Sequence, residues 1–269
     1  MQEWRLLYSG YSNGALNMAI DEAIAMAVAG GEAPPTIRFY GWVPACLSLG
    51  YAQRAEEVEW EACTARGIDV VRRPTGGRAI LHDREVTYSV IAKEDNPLVS
   101  GTILESYLKI SRGLLAGLNK LGIPAEMVSH KDLDKLGTAA CFDSPSWYEI
   151  VVNGKKMVGS AQTRKSGVVL QHGSIIRDMD ADTLFEVLAF ANPETRNRLK
   201  EVFRRKACSV REVIQRDISD ADIIAGMTDG FKQAFEVELR LMGLSEREQE
   251  LARELVDTKY GNAEWTKKR

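Results

Sequence analysis

The first segment able to bind a charged ligand is a loop rich in arginine and glycine, between two predicted strands. Within residues 72–82 it contains Arg72, Arg73, Gly76, Gly77, Arg78 and His82. Glycines let a ligand approach the backbone, whose N–H groups can point inward, and arginines are planar donors suited to phosphate or carboxylate oxygens. The loop therefore predicts a site for a polar ligand. A hairpin turn with solvated arginines explains the same residues, and this segment alone does not decide between the two.

A nucleophilic thiol is the second chemistry that the sequence offers. Cys141 stands in a turn-rich segment, residues 137–146, whose Asp, Ser and Pro predict a loop that solvent and substrate can reach. Cys208 follows three basic residues, and positive charge lowers a thiol pKa toward the reactive thiolate. Cys46, in an apolar strand, and Cys63, on a predicted helix, fit buried packing roles. Local sequence leaves Cys141 and Cys208 as rival nucleophiles.

A pair of lysines on a predicted strand can supply a cation to a cleft. Lys155 and Lys156 follow an Asn-Gly turn, and successive side chains of a strand point to opposite faces. One lysine can therefore be solvated while the other points inward. Gly159, Ser160 and Ala161 are small enough to let a bulky group lie against the strand. Two solvated lysines at the end of a hairpin are the simpler explanation of the pair taken alone.

Hydrophobic periodicity and turn residues predict the elements that position these side chains. Helices are predicted at residues 16–27, 56–66 and 100–121, and an almost wholly helical pattern follows residue 180. Strands are predicted at residues 36–42, 46–51, 69–73, 85–92, 147–152, 156–161 and 168–176. Because hairpins outnumber βαβ units, the pattern favours the α+β class, with a mixed, mostly antiparallel sheet flanked by helices.

We expect a single catalytic domain over residues 1–269. It is strand-rich over residues 1–178 and helix-rich over residues 179–269. The helix-rich part either covers the sheet or forms an appendage, and the sequence leaves both arrangements open.

Composition and missing motifs exclude several classes of protein. The net charge is −3, from 35 basic and 38 acidic residues, whereas proteins that bind nucleic acid through their electrostatic field are strongly basic. No apolar run reaches the roughly 18 residues that span a bilayer, and no signal peptide is recognised, so a cytoplasmic protein without a membrane partner is expected. The two common nucleotide-binding glycine motifs are absent, and His82, His130 and His172 lack metal-ligand spacing. Neither a cofactor nor a metal is expected.

In their order along the chain, these segments resemble the lipoate–protein ligase A/octanoyltransferase superfamily, which has the biotin/lipoyl-ligase catalytic fold. The motifs are Asn17-x-x-x-Asp21-Glu22, the loop at 72–82, Lys156-Met157-Val158-Gly159-Ser160-Ala161 and Leu170-Gln171-His172-Gly173-Ser174. The resemblance runs from about residue 4 to residue 258. Octanoyltransferases of the LipM type are most similar, because Cys141 precedes the hairpin and Gly76-Gly77-Arg78 stands where ligases have three glycines.

The resemblance implies transfer of an octanoyl group from octanoyl-acyl carrier protein to a lysine of a lipoyl-accepting domain, in lipoate biosynthesis. The glycine cleavage H protein is the first candidate acceptor. Cys141 rather than Cys208 then becomes the nucleophile, and Lys156 the cation beside it. The substrate-binding residues that it implies are Arg72, Arg73, Gly76, Gly77, Arg78, His82, Gly159, Ser160, Ala161 and His172. No ATP is required because a thioester is already activated, and a monomer is expected.

Three other functions fit the same superfamily. An ATP-dependent lipoate–protein ligase would need room for AMP at the glycine loop, and Arg78 in place of a third glycine would narrow that room. An octanoyl amidotransferase acting between two lipoyl domains would also use a cysteine. A non-catalytic acyl-binding module would bind the acyl group without turnover.

Overall fold

A large mixed sheet forms the centre of the protein. The computed structural model describes residues 1–129 and 148–269. Its strands are β1 Glu3–Ser12, β2 Thr36–Trp42, β3 Cys46–Leu49, β4 Asp69–Arg72, β5 Ile80–His82, β6 Glu85–Lys93, β7 Glu126–Ser129, β8 Tyr148–Val152, β9 Lys155–Lys165, β10 Val168–Ile176 and β11 Glu238–Leu241. In this described part, the large sheet has the order β11-β1-β2-β6-β10-β9-β8-β7, and β4-β3-β5 form a small second sheet.

Most pairings in the large sheet are antiparallel. Only the pairings of β1 with β11 and with β2 are parallel among those described. In the small sheet, β3 runs parallel to β4 and antiparallel to β5. The predicted α+β class and the mostly antiparallel sheet are confirmed.

Helices cover both faces of the large sheet. They are α1 Gly14–Gly30, α2 Trp60–Ala65, α3 Ile103–Lys120, α4 Ala181–Glu186, α5 Pro193–Lys206, α6 Val210–Ile214, α7 Asp220–Phe235, α8 Glu246–Leu255 and α9 Ala263–Thr266. On one face, α3 and α7 enclose a core with β1, β2, β6 and β10. On the other face, α1 and α8 pack together with part of the small sheet. The helix-rich last third therefore lies against both faces; that the chain forms a single domain stays a prediction.

The helix that carries Asp21, α1, contains the predicted range 16–27 and has a capping residue at each end. Asn13 caps α1 by accepting a hydrogen bond from the Leu16 backbone N–H at 2.9 Å. Gly31 ends it in the left-handed conformation, at φ +77°, which glycine adopts without steric cost. This placement turns the Asn17 and Asp21 side chains into the protein, where both are fully buried.

The structure differs from the prediction at residues 56–66. A 3₁₀ turn at Ala55–Glu57 precedes α2, and the two are separated by extended backbone rather than joined in one helix. The reason is a long-range bridge between Val58 and Leu188, in which Glu59 N–H donates to the Val187 carbonyl at 3.0 Å. The backbone of residues 58 and 59 thus pairs with residues 187 and 188, and the local sequence pattern gives no sign of this distant partner.

Four strands, β1, β5, β7 and β11, were not predicted from the pattern. The expectation of an almost wholly helical region after residue 180 is wrong at β11, whose four residues pair with β1 from the far end of the chain. Because so short a strand has almost no periodicity of its own, only that long-range pairing identifies it.

Candidate active site

The glycine loop is shaped from within by Arg73. Its guanidinium donates to the carbonyls of Ser48 at 2.9 Å, Gly76 at 2.7 Å and Arg78 at 2.8 Å. Burial lowers the pKa of Arg73 to about 10. Arg73 therefore folds the loop back on itself and is not a solvated arginine.

Arg72 anchors the loop to two other segments. Its Nη1 donates to the carbonyls of Gly50 at 2.8 Å and Gln53 at 2.6 Å, and its Nε donates to the Thr266 carbonyl at 3.1 Å. The side chain is fully buried. For both Arg72 and Arg73, the alternative of a hairpin turn with solvated arginines does not hold.

Arg78 differs from these two arginines because it is half exposed. Its Nη2 lies 2.7 Å from Glu57 Oε2. A Cβ added to Gly76 would meet no described atom within 4 Å. That Arg78 narrows the room for AMP stays a prediction. Gly77 has φ +92°, which favours glycine. A Cβ added to Gly50 would lie only 1.9 Å from the Gly77 carbonyl oxygen. The loop needs glycine at positions 50 and 77.

His172 clamps the glycine loop from the large sheet. Its Nε2 lies 2.7 Å from Thr75 Oγ1 and its Nδ1 lies 3.2 Å from Asp21 Oδ2. Burial outweighs the Asp21 carboxylate and lowers the pKa of His172. Burial would raise the pKa of Asp21, but Arg38 at 2.7 Å and His172 together hold it below its usual value. A neutral imidazole thus donates from Nδ1 to Asp21 and accepts from Thr75 at Nε2.

His82 makes an equivalent clamp from the small sheet. Its Nε2 lies 2.7 Å from Ser48 Oγ, its Nδ1 lies 2.7 Å from Glu85 Oε1, and its ring stacks on Trp42 at 4.1 Å. Ser48 in turn accepts from Arg73 Nη1 at 3.1 Å. Both histidines are buried, so each acts on the loop through a hydroxyl group.

The Lys156 side chain lies next to Gly159, close to Ile80 at the end of the glycine loop. The pairing of β8 with β9 shifts register between Ile150 and Val151. A Cβ on Gly159 would lie 3.8 Å from Lys156 Cε and 4.0 Å from Ile80 Cδ1, where Ile80 belongs to β5. Lys156 Nζ is 2.8 Å from Glu149 Oε1. Lys155 instead pairs with Glu212 on α6 at 2.7 Å.

The small residues of β9 divide between the two faces of the sheet. Ala161 is directly opposite His172 and therefore shares its face. Ser160 points the other way, where its hydroxyl accepts from Tyr88 at 2.8 Å in the core under α3 and α7. A Cβ on Gly173 would lie 2.8 Å from Tyr88 Cε1, so glycine there makes room for the tyrosine ring. Gly159 and Ala161 are near the loop, and Ser160 is not.

The described cysteines do not resemble reactive thiols. Cys46, Cys63 and Cys208 are buried. Burial raises the pKa of Cys63 and of Cys208 to about 11, and it raises the pKa of Cys46 well above its ordinary value. The basic residues before Cys208 thus do not activate it. Cys141 and His130 lie outside the described residues.

Comparison with known proteins shows the family of the chain. The family described as "Lipoyl protein ligase A/B catalytic domain" matches residues 13–232. The chain belongs to this family. Octanoyltransferase LipM of Kyrpidia tusciae is 49% identical over 98% of each chain, and that of Bacillus subtilis is 41% identical over 100% of this chain and 99% of its own. The predicted family is confirmed, and the predicted enzyme class, an acyltransferase, agrees with these relatives.

Solved structures of the lipoyl ligase A/B family have the same fold. A structure of a bi-partite lipoate protein ligase from Thermoplasma acidophilum has a TM-score of 0.84 and 26% identity, covering 99% of this chain and 97% of that one. A lipoate-protein ligase A bound with ATP has a TM-score of 0.81 and 28% identity, covering 99% of both. The predicted catalytic fold is thereby confirmed.

No local sequence signal marks the residues that hold the two histidines in place. Nothing in the sequence around Thr75, Ser48 and Glu85 distinguishes them from other polar residues, and only the folded chain places them next to an imidazole. The role of Arg38 could have been recognised, because a charged residue in the fully buried strand β2 requires a buried counter-charge. That counter-charge is Asp21, within the motif that carried the resemblance.

Two features are absent from residues 1–129 and 148–269. No helix there is long and apolar enough to cross a membrane. In the same part of the chain, no group of three His, Cys, Asp or Glu side chains is arranged to hold a metal ion.

Asp21→Ala should destabilise the protein strongly. The substitution leaves the Arg38 guanidinium buried without its carboxylate, and loss of one member of a buried ion pair costs about 3–5 kcal/mol. Urea unfolding at neutral pH measures the change. Asp182→Ala is the matched control: Asp182 is an exposed carboxylate between Lys200 and Arg204, and its removal should cost about 0.5 kcal/mol or less. Equal losses in the two variants would contradict the role given to Asp21.

Stability should fall as the pH drops below the ordinary histidine pKa of about 6.5. Because the pKa of His172 is lowered in the folded protein, the unfolded chain binds the proton first, and acid then favours unfolding. One such group changes the free energy of unfolding by at most about 1.4 kcal/mol per pH unit. Urea unfolding between pH 7.5 and 5 measures the slope, which His172→Gln should reduce. An unchanged slope would mean that other groups cause the acid sensitivity.

Proposed function

We propose that this protein is an octanoyltransferase, which moves an octanoyl group from octanoyl-acyl carrier protein to a lysine of a lipoyl-accepting domain. The observation that carries the proposal is full-length similarity to octanoyltransferases of the LipM type, at 49% and 41% identity over nearly both whole chains. The glycine cleavage H protein is the acceptor that we expect. A cytoplasmic location suits the mechanism, because cytosolic thiols are kept reduced and the reaction needs a free cysteine.

Cys141 is the nucleophile of the proposed reaction. Its thiolate attacks the carbonyl carbon of the donor thioester, a new C–S bond forms, and the thiolate of the carrier leaves. The acceptor lysine, as a free amine, then attacks the enzyme thioester. The amide bond forms, Cys141 leaves as thiolate, and the amine proton passes to solvent. The buried positions and raised pKa values of Cys63 and Cys208 support Cys141 over them.

Lys156 is the cation that we assign to Cys141. An adjacent ammonium favours the thiolate in the free enzyme and stabilises the oxyanion that develops on the acyl carbonyl. Its place beside Gly159 and Ile80, next to the glycine loop, supports this assignment. Glu149, at 2.8 Å, holds the ammonium in that position.

The pocket for the acyl group lies, in this proposal, on the face of β9 and β10 that carries Ala161 and His172. Gly159 and Ala161 leave room there for an alkyl chain. The backbone of Gly76 and Gly77 lines the mouth, and Arg72, Arg73, His82 and His172 fix its shape through the hydrogen bonds described above. Burial of the seven alkyl carbons of the octanoyl chain, at about 0.8 kcal/mol each, would contribute roughly 5 kcal/mol to binding.

Reconstituted transfer tests the proposal. The protein is incubated with octanoyl-acyl carrier protein and the apo H protein, without ATP, and the acceptor is followed by mass spectrometry. We expect one octanoyl group to be added to the acceptor. If octanoylated H protein donates to a second lipoyl domain but octanoyl-acyl carrier protein does not donate, the protein is an amidotransferase and the proposed donor is wrong. Binding of octanoyl donors without any transfer would indicate a non-catalytic module.

An ATP-dependent lipoate–protein ligase is the second candidate function. The similarity to a lipoate-protein ligase A bound with ATP favours it, as does the open space at Gly76. Incubation with ATP and free octanoate or lipoate discriminates the two. Formation of an acyl-adenylate that persists in Cys141→Ser would favour the ligase, whereas the octanoyltransferase predicts none.

A further inference from the structure

A group of cations lies at the end of the chain, close to the glycine loop. We call Lys267, Lys268 and Arg269 the tail cluster. Lys268 Nζ is 3.4 Å from the centroid of the Trp265 ring and 3.8 Å from that of Tyr51. These cation–π contacts hold Lys268 in one position.

The other two members are also held in place. Lys267 Nζ is 4.4 Å from the centroid of the Trp60 ring, and the Arg269 carbonyl oxygen accepts from the Ala55 backbone N–H at 2.7 Å. Both Lys267 and Arg269 are nevertheless exposed. The tail cluster is therefore an ordered surface of positive charge.

The side chains of the tail cluster have no carboxylate partner in the described part of the chain. Within residues 1–129 and 148–269, none of its three cations forms an ion pair with a carboxylate side chain, and the buried Arg72 Nη2 has no hydrogen-bond acceptor. Arg72 lies close to the tail cluster, because its Nε donates to the carbonyl of Thr266, and burial and the Arg269 charge lower the pKa of Arg72. Like charges held together in this way repel, and a bound anion would relieve that repulsion.

The tail cluster adjoins the glycine loop through hydrogen bonds. Trp265 Nε1 donates to the Arg72 carbonyl at 2.8 Å, and the Tyr51 N–H donates to the Thr75 carbonyl at 2.8 Å. Tyr51 thus contacts the glycine loop with its backbone and Lys268 with its ring. A ligand whose reactive end lies at the loop can reach the tail cluster with a more distant group.

We propose that the tail cluster binds the phosphate of the phosphopantetheine arm that carries the donor's acyl group. The inference rests on the proposed function, since it assumes a carrier-bound thioester. The arm joins the thioester to a phosphate, so a donor whose thioester enters at the glycine loop leaves its phosphate outside the pocket. Exposed Lys267 and Arg269 supply the ammonium and the planar guanidinium that suit phosphate oxygens. Arg72 and Arg73, which the sequence offered as donors to a polar ligand, are buried and less accessible to this phosphate.

Three donors and one triple variant test the inference. The donors are octanoyl-acyl carrier protein, octanoyl-phosphopantetheine, which keeps the phosphate without the protein, and octanoyl-pantetheine, which has neither. In Lys267→Gln/Lys268→Gln/Arg269→Gln, kcat/KM should fall roughly tenfold or more for the first two donors, because charged hydrogen bonds to phosphate are lost. It should stay unchanged for octanoyl-pantetheine. Arg269→Gln alone, at an exposed terminal position, should give a smaller fall with the same donor pattern.

The matched control removes the same charge elsewhere. Arg112→Gln/Lys120→Gln/Lys232→Gln takes three exposed cations from α3 and α7, on the opposite face of the large sheet, and should leave all three donors unaffected.

Four outcomes overturn the inference. A fall confined to octanoyl-acyl carrier protein would assign the tail cluster to an acidic protein surface instead of a phosphate. An equal fall with every donor would give it only a structural role, and no fall would give it none. Wild-type protein that transfers from no donor would overturn the proposed function, and this inference with it.

Discussion

Replacement of Cys141 by serine should abolish octanoyl transfer, with kcat/KM lowered by roughly a thousandfold or more. A serine hydroxyl remains protonated at neutral pH and is a far weaker nucleophile than a thiolate, so the enzyme thioester no longer forms. Steady-state transfer from octanoyl-acyl carrier protein to the H protein measures the loss.

Cys208→Ser is the control for that experiment. Cys208 is buried, its thiol pKa is raised to about 11, and its Sγ lies 3.5 Å from the Lys155 carbonyl oxygen. The variant should keep transfer close to that of the wild type. Loss of transfer in Cys208→Ser, with full transfer in Cys141→Ser, would show that the nucleophile is assigned to the wrong cysteine.

Lys156→Ala should lower kcat/KM roughly a hundredfold, because an ammonium that stabilises the developing oxyanion is removed. The same change should raise the pKa of the Cys141 thiol and slow its alkylation at neutral pH several-fold. The rate of iodoacetamide labelling as a function of pH separates these effects. The midpoint of the labelling profile reports the thiol pKa, and the plateau at high pH reports the reactivity of the thiolate.

Lys155→Ala is the matched control for Lys156→Ala. It removes an equal charge one residue away, from a lysine that pairs with Glu212 instead of Glu149. Both transfer and the labelling profile should be unchanged in this variant. If Lys156→Ala leaves the labelling profile unchanged as well, some other cation lies beside the thiol.

Much of the framework could be predicted from local pattern. Strands 36–42 and 168–176 have the predicted bounds in the structure, because turn residues stand at or near their ends. The helix predicted at residues 100–121 runs from Ile103 to Lys120, with Thr102 and Glu105 forming a capping box at its start. Elements whose existence depends on a distant partner, such as β11, have no comparable local signal.

The role of the arginines could not be predicted in the same way. Three arginines around two glycines have the appearance of a binding surface, and only Arg78 is exposed. Arg72 reaches carbonyls about 20 residues before it, at Gly50 and Gln53, and another close to the chain end, at Thr266. No spacing rule in the sequence brings those carbonyls together, because the loop, the small sheet and the last helix meet only in the folded chain.

Intact-mass analysis of a single turnover tests the central claim most directly. Protein mixed with octanoyl-acyl carrier protein, in the absence of an acceptor, should gain the mass of one octanoyl group, and the adduct should map to Cys141 and disappear when apo H protein is added. It should be absent in Cys141→Ser and present in Cys208→Ser. An adduct on another residue, or transfer to the H protein by Cys141→Ser at the wild-type rate, would contradict the account.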